Sequence, residues 1–329
     1  MRAIRIFETG GPEVLTLVEL PTPEPGPGEI RVRAEAIGVG RPDILVRKGT
    51  YKWMPSLPAI PGAELAGTVD AIGDGVDHAM LGQRVLVSAR ELPVRGGCYA
   101  EYICVPAGAV FPLPVSVTAV DAISLPNFQL ALALFRCNGE MPVESVLIPG
   151  SAGGVACALT QLAVARGIRV LGTASTPEKA ALARANGVSE LVSRDAPQMS
   201  AQVMDLTRGR GVDLAFDHLG AQSLIACIRS LAPMGMAVSY NIVQGAPASD
   251  VFQELRAHLG RSLAVRTFSM HTLDEVPSLR RALMEQAISL MASGAVRAPM
   301  ARLMQLTEIQ QAHTALDSGA SLGKIVIQP

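Results

Sequence analysis

The sequence predicts an α/β protein in two parts, a mostly antiparallel β domain followed by a doubly wound parallel sheet, and three observations carry that reading. The 329 residues are enough for two domains of roughly 150 residues each. The first third consists of short alternating or β-branched runs cut by glycine and proline, whereas the middle alternates apolar strands with helical patterns. A composition of 49% hydrophobic and 17% charged residues excludes a disordered or fibrous chain.

Up to about Pro114 the strand candidates are 29–36, 65–72 and 84–88, separated by breakers such as the proline-rich run 21–28 and Gly73-Asp74-Gly75. Short strands with this punctuation predict a compact antiparallel domain. After Asp121 the texture changes. Residues 146–148 form an apolar run that enters a glycine turn and then a helical pattern over 155–165. Strand 169–173, a helix from about 176 to 186, and strands 190–193 and 212–217 come next. A helix near 223–231 and strands 236–240 and 263–268 complete the series. Strands alternating with helices mean a parallel sheet wrapped by crossovers, and six strands are what a full dinucleotide-binding (Rossmann) fold requires. An amphipathic helix over about 276–293, a short helix near 307–318 and a closing strand 324–328 break the alternation and are expected to return to the N-terminal domain. The expected division is 1–120 with 270–329 against 121–269.

With 28 Lys+Arg against 29 Asp+Glu, the charge balance gives no reason to expect nucleic acid or an anionic membrane as partner. Five cysteines without a CxxC spacing argue against a disulfide framework or a cysteine-rich zinc lobe, so a reducing cytoplasm is expected. The N-terminus has no apolar run of the kind a secretory leader carries. Two uncharged stretches, 145–165 and 231–249, are interrupted by Gly and Pro and read as strand, turn and helix rather than membrane spans.

The most informative segment runs from Val146 to Ala156. A buried strand enters a tight turn, Pro149-Gly150-Ser151-Ala152-Gly153-Gly154-Val155, and an apolar helix begins at once. Small residues let a pyrophosphate approach the backbone, and the helix start supplies amide donors and positive dipole. In the fingerprint G-x-G-x-x-G/A, Ser151, Gly153 and Ala156 hold the three key positions, so the first glycine is missing. Ser151, Ala152, Gly153, Gly154 and Val155 are the expected pyrophosphate contacts. At the end of the next strand, Gly172-Thr173-Ala174-Ser175-Thr176 offers hydroxyls and no carboxylate before Glu178, which permits the 2′-phosphate of NADPH. Thr173 and Ser175 join the site, and Lys179 and Arg194 are cations placed to neutralise that phosphate, or else solvated surface charges. Thr176 with Pro177 also reads as a helix cap.

Several segments together resemble the medium-chain dehydrogenase/reductase superfamily, in its zinc-independent quinone oxidoreductase (zeta-crystallin-like) branch. They are Pro61-Gly62-Ala63-Glu64 through Gly73, and Gly38-Val39-Gly40-Arg41-Pro42-Asp43 with Arg47-Lys48-Gly49-Thr50-Tyr51. Gly96-Gly97-Cys98-Tyr99-Ala100-Glu101-Tyr102, Asp217-His218-Leu219-Gly220, and the ending Gly323-Lys324-Ile325-Val326-Ile327 belong to the same set. The resemblance spans nearly the whole chain. It implies a GroES-like catalytic domain, a Rossmann domain, an active site in the cleft between them, and a homodimer formed through the edge near 263–268. Zinc-dependent members carry Cys where Gly40 stands and His where Ala63 stands. Neither Gly nor Ala ligates metal, and catalytic zinc needs three protein ligands. No metal is expected, and a quinone or an α,β-unsaturated carbonyl compound, reduced by hydride from NADPH, is the substrate class that requires none.

Within that reading Tyr51 is the expected substrate donor, its alternative being packing with Trp53 and Met54 over the domain edge. Asp43 is expected to orient the loop. Gly40 replaces the branch's Asn, and Arg41 either meets an anionic group or faces solvent. Gln129 is spaced to reach the nicotinamide carboxamide or else to cap its helix. His218, Asn241, Phe268 and Ser269 follow strands at the carboxyl edge where cofactors lie, and Lys324 of the closing motif is counted with the cofactor contacts. Two other functions stay open: an enoyl-thioester reductase, which would need a basic cluster for a carrier phosphate, and a cofactor-binding protein with little catalysis.

Overall fold

A computed structural model describes all 329 residues, Met1–Pro329. The first stretch holds strands β1 (Arg2–Arg5), β2 (Thr16–Glu19) and β3 (Glu29–Val39), helix α1 (Arg41–Arg47), and strands β4 (Glu64–Ile72), β5 (Arg84–Ser88), β6 (Tyr102–Pro106) and β7 (Val110–Pro112). Helices α2 (Ala119–Ala122) and α3 (Leu125–Phe135) lead into β8 (Ser145–Ile148), α4 (Gly154–Val164), β9 (Arg169–Gly172), α5 (Pro177–Asn186) and β10 (Glu190–Leu191). Then come α6 (Ala196–Leu206), β11 (Val212–Asp217), α7 (Ala221–Arg229), β12 (Leu231–Ser239), α8 (Val251–Ala257) and β13 (Ala264–Thr267). The chain closes with α9 (Pro277–Ala292), β14 (Ala301–Gln305), α10 (Ile309–Asp317) and β15 (Lys324–Gln328).

The chain forms two compact units, Met1–Pro126 with Ile288–Pro329, and Asn127–Ala287. In the first, β14-β15-β3-β4-β5-β7 make one sheet, with β6 also paired to β3. The long strand β3 alternates inward Ile30 and Val32 with outward Arg31 and Arg33, the period-two pattern of a half-buried strand. Its far end positions the site. β15 runs antiparallel to it with Ile325 opposite Val39 and Val326 opposite Gly38, which brings Lys324 alongside the Gly40 turn. On the other side Leu65 of β4 pairs with Ile37, so Glu64 reaches the same place.

The second unit is a six-stranded sheet in the order β10-β9-β8-β11-β12-β13, with every pair parallel. Counted from β8 this is the doubly wound order 3-2-1-4-5-6, whose direction reverses beside β8. The central strands β8 and β11 are buried along their whole length, which is why β8 reads as an apolar run and β11 keeps Val212 and Leu214 to Phe216 apolar around its two aspartates. The uncharged stretch 145–165 is strand, turn and helix, and no helix of the chain is long and apolar enough to cross a membrane.

The return to the first unit, expected at 270, comes inside α9 at Ile288. The start of α9 is fixed within the second unit, because the buried Gln129 amide donates to the carbonyl of Arg280 at 2.8 Å. The first boundary likewise falls at Pro126, not 120.

Candidate active site

The glycine turn is built by a substitution the fingerprint does not anticipate. Gly150 takes φ +65°, a left-handed conformation that glycine adopts without the penalty of a Cβ. Ser151, at the first-glycine position, is fully buried, and its hydroxyl donates to the Ile148 carbonyl at 2.6 Å while accepting from the Thr173 amide at 3.1 Å. The Ser151 amide donates to the Thr173 carbonyl at 2.9 Å, and Thr173 Oγ1 accepts from the Gly150 amide at 3.0 Å. The turn after β8 is thus stitched to the end of β9. Gly172 makes room for this, since a Cβ there would collide with Ser151 Oγ.

Gly153 is the N-cap of α4 and is exposed, with Gly154 and Val155 half-buried, so the helix start presents its amides outward, while Ala152 is buried. A Cβ on Gly154 would stand 2.6 Å from Asn127 Nδ2, a close approach that only glycine permits. Beside the turn lies a cavity of about 470 Å³, lined by Pro149, Thr173, Arg194, Gln222, Ser223 and Gln244 among others. Asp195 also borders it, but its carboxylate caps α6 by accepting from the Gln198 amide at 3.3 Å. Ser175 is exposed and Lys179 half-buried on α5, whose N-cap Thr176 accepts from the Lys179 amide.

His218 follows β11 and packs its ring where a Cβ on Gly150 would be, with Cε1 only 2.6 Å from that position. Its centroid lies 5.8 Å from that of Tyr240, its Nδ1 is buried without a partner, and burial pushes its pKa down to about 4. Asp217 before it is held by the Gly220 amide at 2.8 Å and the Ser223 hydroxyl at 2.6 Å.

The remaining expected contacts fare differently. Asn241 is exposed, with its side-chain oxygen accepting from the Ile242 amide. Phe268 is half-buried and its amide donates to the Ser239 carbonyl, while Ser269 is exposed and caps the following turn through the His271 amide. Gln129 is 3% exposed, and its amide nitrogen donates to the Arg280 carbonyl, so it anchors the start of α9. The Lys324 ammonium is buried in the first unit and paired with the Glu64 carboxylate.

That pair belongs to a buried polar cluster around the Gly40 turn. Gly40 is half-buried and its amide donates to Asp43 Oδ2 at 2.8 Å. Asp43 is 2% exposed; burial, and then the Glu64 carboxylate, push its pKa up to about 7. The hydroxyl of buried Tyr99 meets Asp43 on one side and His313 Nε2, at 3.0 Å, on the other. Burial, then the nearby Arg47 guanidinium, push His313 down to about 3. Arg41 is exposed, and Tyr51 is half-buried with its ring 5.8 Å from Trp53. Glu64, Tyr99 and His313 were not singled out from the sequence. Each is brought to Asp43 by long-range pairing, and only the apolar face of α10 pointed to a buried His313.

Position 40 and Ala63 carry no donor atom, and no group of three or more His, Cys, Asp or Glu side chains is arranged to hold a metal ion.

Residues 26–115 match the family described as alcohol dehydrogenase GroES-like domain, and residues 154–293 the one described as zinc-binding dehydrogenase. The quinone oxidoreductase of Pseudomonas aeruginosa is 30% identical over 330 residues, spanning 100% of this chain and 99% of the relative. The quinone oxidoreductase of Rattus norvegicus is 34% identical over 241 residues, 72% of each chain. Among solved structures, Escherichia coli quinone oxidoreductase complexed with NADPH aligns over 100% of both chains with TM-score 0.84 and 28% identity. A mycobacterial protein complexed with NADPH aligns over 100% of both with TM-score 0.87 and 32% identity. Identity sustained over the full length, the two domain matches in order and the shared fold together establish that the chain belongs to the quinone oxidoreductase branch of the medium-chain dehydrogenase/reductase superfamily.

Proposed function

We propose that the chain is an NADPH-dependent, metal-independent oxidoreductase that delivers hydride to a quinone or an α,β-unsaturated carbonyl compound. The observation that carries this reading is the second unit's open turn and adjoining cavity. Glycine amides at the start of α4 suit a pyrophosphate, and Thr173, Ser175 and Arg194 suit a 2′-phosphate, with the neighbouring Asp195 carboxylate engaged by the Gln198 amide at the start of α6. The unpartnered Nδ1 of His218 next to Gly150 is a further polar group that a bound dinucleotide would satisfy. When bound, the reduced nicotinamide supplies the hydride. The protein's part is to orient a flat acceptor and to offer donors to the oxygen on which charge develops.

In the first unit Tyr51 is the proposed donor to that oxygen. The absence of donor atoms at positions 40 and 63 supports chemistry without a metal, and the names of the relatives support a quinone. NADPH bound by the related structures supports the cofactor. We further propose a homodimer joined along β13, the outermost strand of its sheet, and residence in a reducing compartment, which five free cysteines favour.

The test is NADPH consumption with and without menadione, and with a panel of enones and enoyl thioesters. Quinone- or enone-dependent oxidation is expected; oxidation only with thioesters, or none at all, overturns the reading. Tyr51→Phe should lower turnover more than cofactor affinity, and an unchanged rate removes Tyr51 from the site.

A further inference from the structure

Reduction of a carbonyl acceptor needs a proton as well as a hydride, and the bound dinucleotide brings only the latter. The first unit contains one acid placed to supply it. Asp43 lies directly beneath Gly40, and a Cβ at position 40 would stand 3.7 Å from Asp43 Oδ2 and 3.8 Å from Lys324 Nζ. The volume that a side chain would occupy in a relative is therefore bordered by an acid and an ammonium. Gly40 is half-buried, so that volume is where an acceptor oxygen can approach both groups.

Behind Asp43 the polar groups form a chain leading away from the turn. Tyr99 bonds Asp43, and His313 Nε2 lies 3.0 Å from the same hydroxyl. The far ring nitrogen, His313 Nδ1, is buried with no partner. The tyrosine ring is fully buried and occupies the space left open by Gly62 at φ +105°, where a Cβ would be 2.5 Å from Tyr99 Cδ1. Near His313, Arg47 is fully buried and pairs with Asp317, with its Nε and Nη1 also unpartnered. An imidazole with one nitrogen on a phenol and the other unsatisfied is the arrangement in which proton transfer proceeds by exchange of tautomers.

We propose that Asp43 is the proton donor of this reductase and that Tyr99 and His313 recharge it, a role that rests on the hydride-transfer reading above. The acceptor gains a hydride at carbon, and the carbonyl π pair moves to oxygen. That oxygen bonds the Asp43 proton while the O–H pair stays on the carboxylate. The Tyr99 proton then passes to Asp43 and the His313 Nε2 proton passes to Tyr99; Nδ1, closed to solvent in this conformation, gains one proton from water only when the packing around it opens, leaving the other neutral tautomer. Lys324, already paired with Glu64, offsets the charge that develops on the oxygen. The groups facing Asp43 are Glu64 from β4, Lys324 from β15, and Cys98 and Tyr99 from the loop before β6. Those facing His313 are Tyr99, Arg47 from α1 and Asp317 from its own helix. A raised Asp43 pKa of about 7 is consistent with a carboxyl that still holds its proton near neutrality.

The experiment uses the full chain with NADPH and menadione, reading kcat and KM against pH in light and heavy water. In the native protein kcat should fall as pH rises past the Asp43 pKa and should show a solvent isotope effect. Asp43→Asn, which keeps the bond to the Gly40 amide, should lose the alkaline limb and about 100-fold in kcat, the usual worth of a general acid. Tyr99→Phe should lower kcat about tenfold with KM within about twofold, and shift the same limb, whereas loss of packing alone would leave the pH profile in place. An Asp43→Asn variant with the native profile and isotope effect overturns the proposal. Independently of turnover, the infrared spectrum of the resting protein at neutral pH should contain a protonated-carboxyl band that Asp43→Asn removes and Tyr99→Phe shifts; its absence also overturns it. If menadione and enones fail to oxidise NADPH while the band is present, the hydride-transfer reading fails and the buried acid stands.

Discussion

Replacing Gly150 by alanine tests the site where the turn, the strand after it and His218 converge. Two separable costs follow from the structure. Holding a Cβ-bearing residue at φ +65° costs about 1–2 kcal/mol. The new methyl would also stand 2.6 Å from His218 Cε1 and 3.1 Å from Nε2, and it meets the body of a ring backed by Tyr240 rather than a flexible chain end. Overpacking of that kind costs a further 1–3 kcal/mol or so, giving a total of about 2–5 kcal/mol. Urea unfolding followed by circular dichroism measures the loss, and a fluorescence titration with NADPH should show affinity weakened about tenfold or more as the turn shifts by a few tenths of an ångström. The two terms separate in a double-mutant cycle. In a His218→Ala background the steric term disappears, so Gly150→Ala should then cost only about 1–2 kcal/mol. An equal cost in both backgrounds would show that the ring is no obstacle, and a cost below about 0.5 kcal/mol in the native background would refute the backbone argument as well.

Arg194→Ala should weaken NADPH binding by about 10- to 100-fold, the worth of one charge-assisted bond, while leaving NADH almost unaffected; equal affinities of the native protein for both nucleotides in a titration would refute the 2′-phosphate assignment. Ser151→Ala should cost about 1–3 kcal/mol in urea unfolding, because the buried Thr173 amide and Ile148 carbonyl both lose their side-chain partner. Acid sensitivity has a defined sign. His313 and His218 stay neutral in the folded chain down to about 3 and about 4, so between those values and 6.5 the unfolded state binds more protons and stability falls with falling pH. Asp43, raised to about 7, opposes this over the same range by holding its proton only in the folded state. His313→Gln should therefore reduce the slope of stability against pH by about 1.4 kcal/mol per unit between about pH 4.5 and 6, measured as urea midpoints; an unchanged slope would place a charged imidazole in the fold.

The parts legible in the sequence are those whose cause is local. β5, β11 and β15 fall where the apolar runs predict them, since a strand buried on both faces, or one that alternates strictly, advertises itself within a few residues. β14 went unseen because only Met304 of its five residues is buried; its existence depends on a parallel partner, β15, more than twenty residues on, and not on its own pattern. Side-chain partners are hidden in the same way. Gln129 bonds a carbonyl 151 residues away, and Lys324 a carboxylate 260 residues away, so no window around either residue contains what decides its role. Composition says that both are polar, and topology says that both are buried and already engaged.

The degraded fingerprint makes a sharper point about what a motif encodes. Three requirements are usually met by three glycines: a turn of positive φ, a backbone that a phosphate can approach, and space where strand and helix pack. Here the first is met one residue early, by Gly150, and the second by Gly153 at the exposed start of α4. The space is provided on the opposite strand, by Gly172, which lets Ser151 turn inward and bind both neighbouring strands. The serine is then a consequence of the missing Cβ on β9 rather than a defect in the turn. Gly172→Ala alone should accordingly damage the site as much as a change within the fingerprint, although it lies outside it. Pairing it with Ser151→Gly, which removes the obstructing hydroxyl, should restore part of the lost stability. If the pair is as unstable as the sum of its members, the two positions are not exchanging one volume.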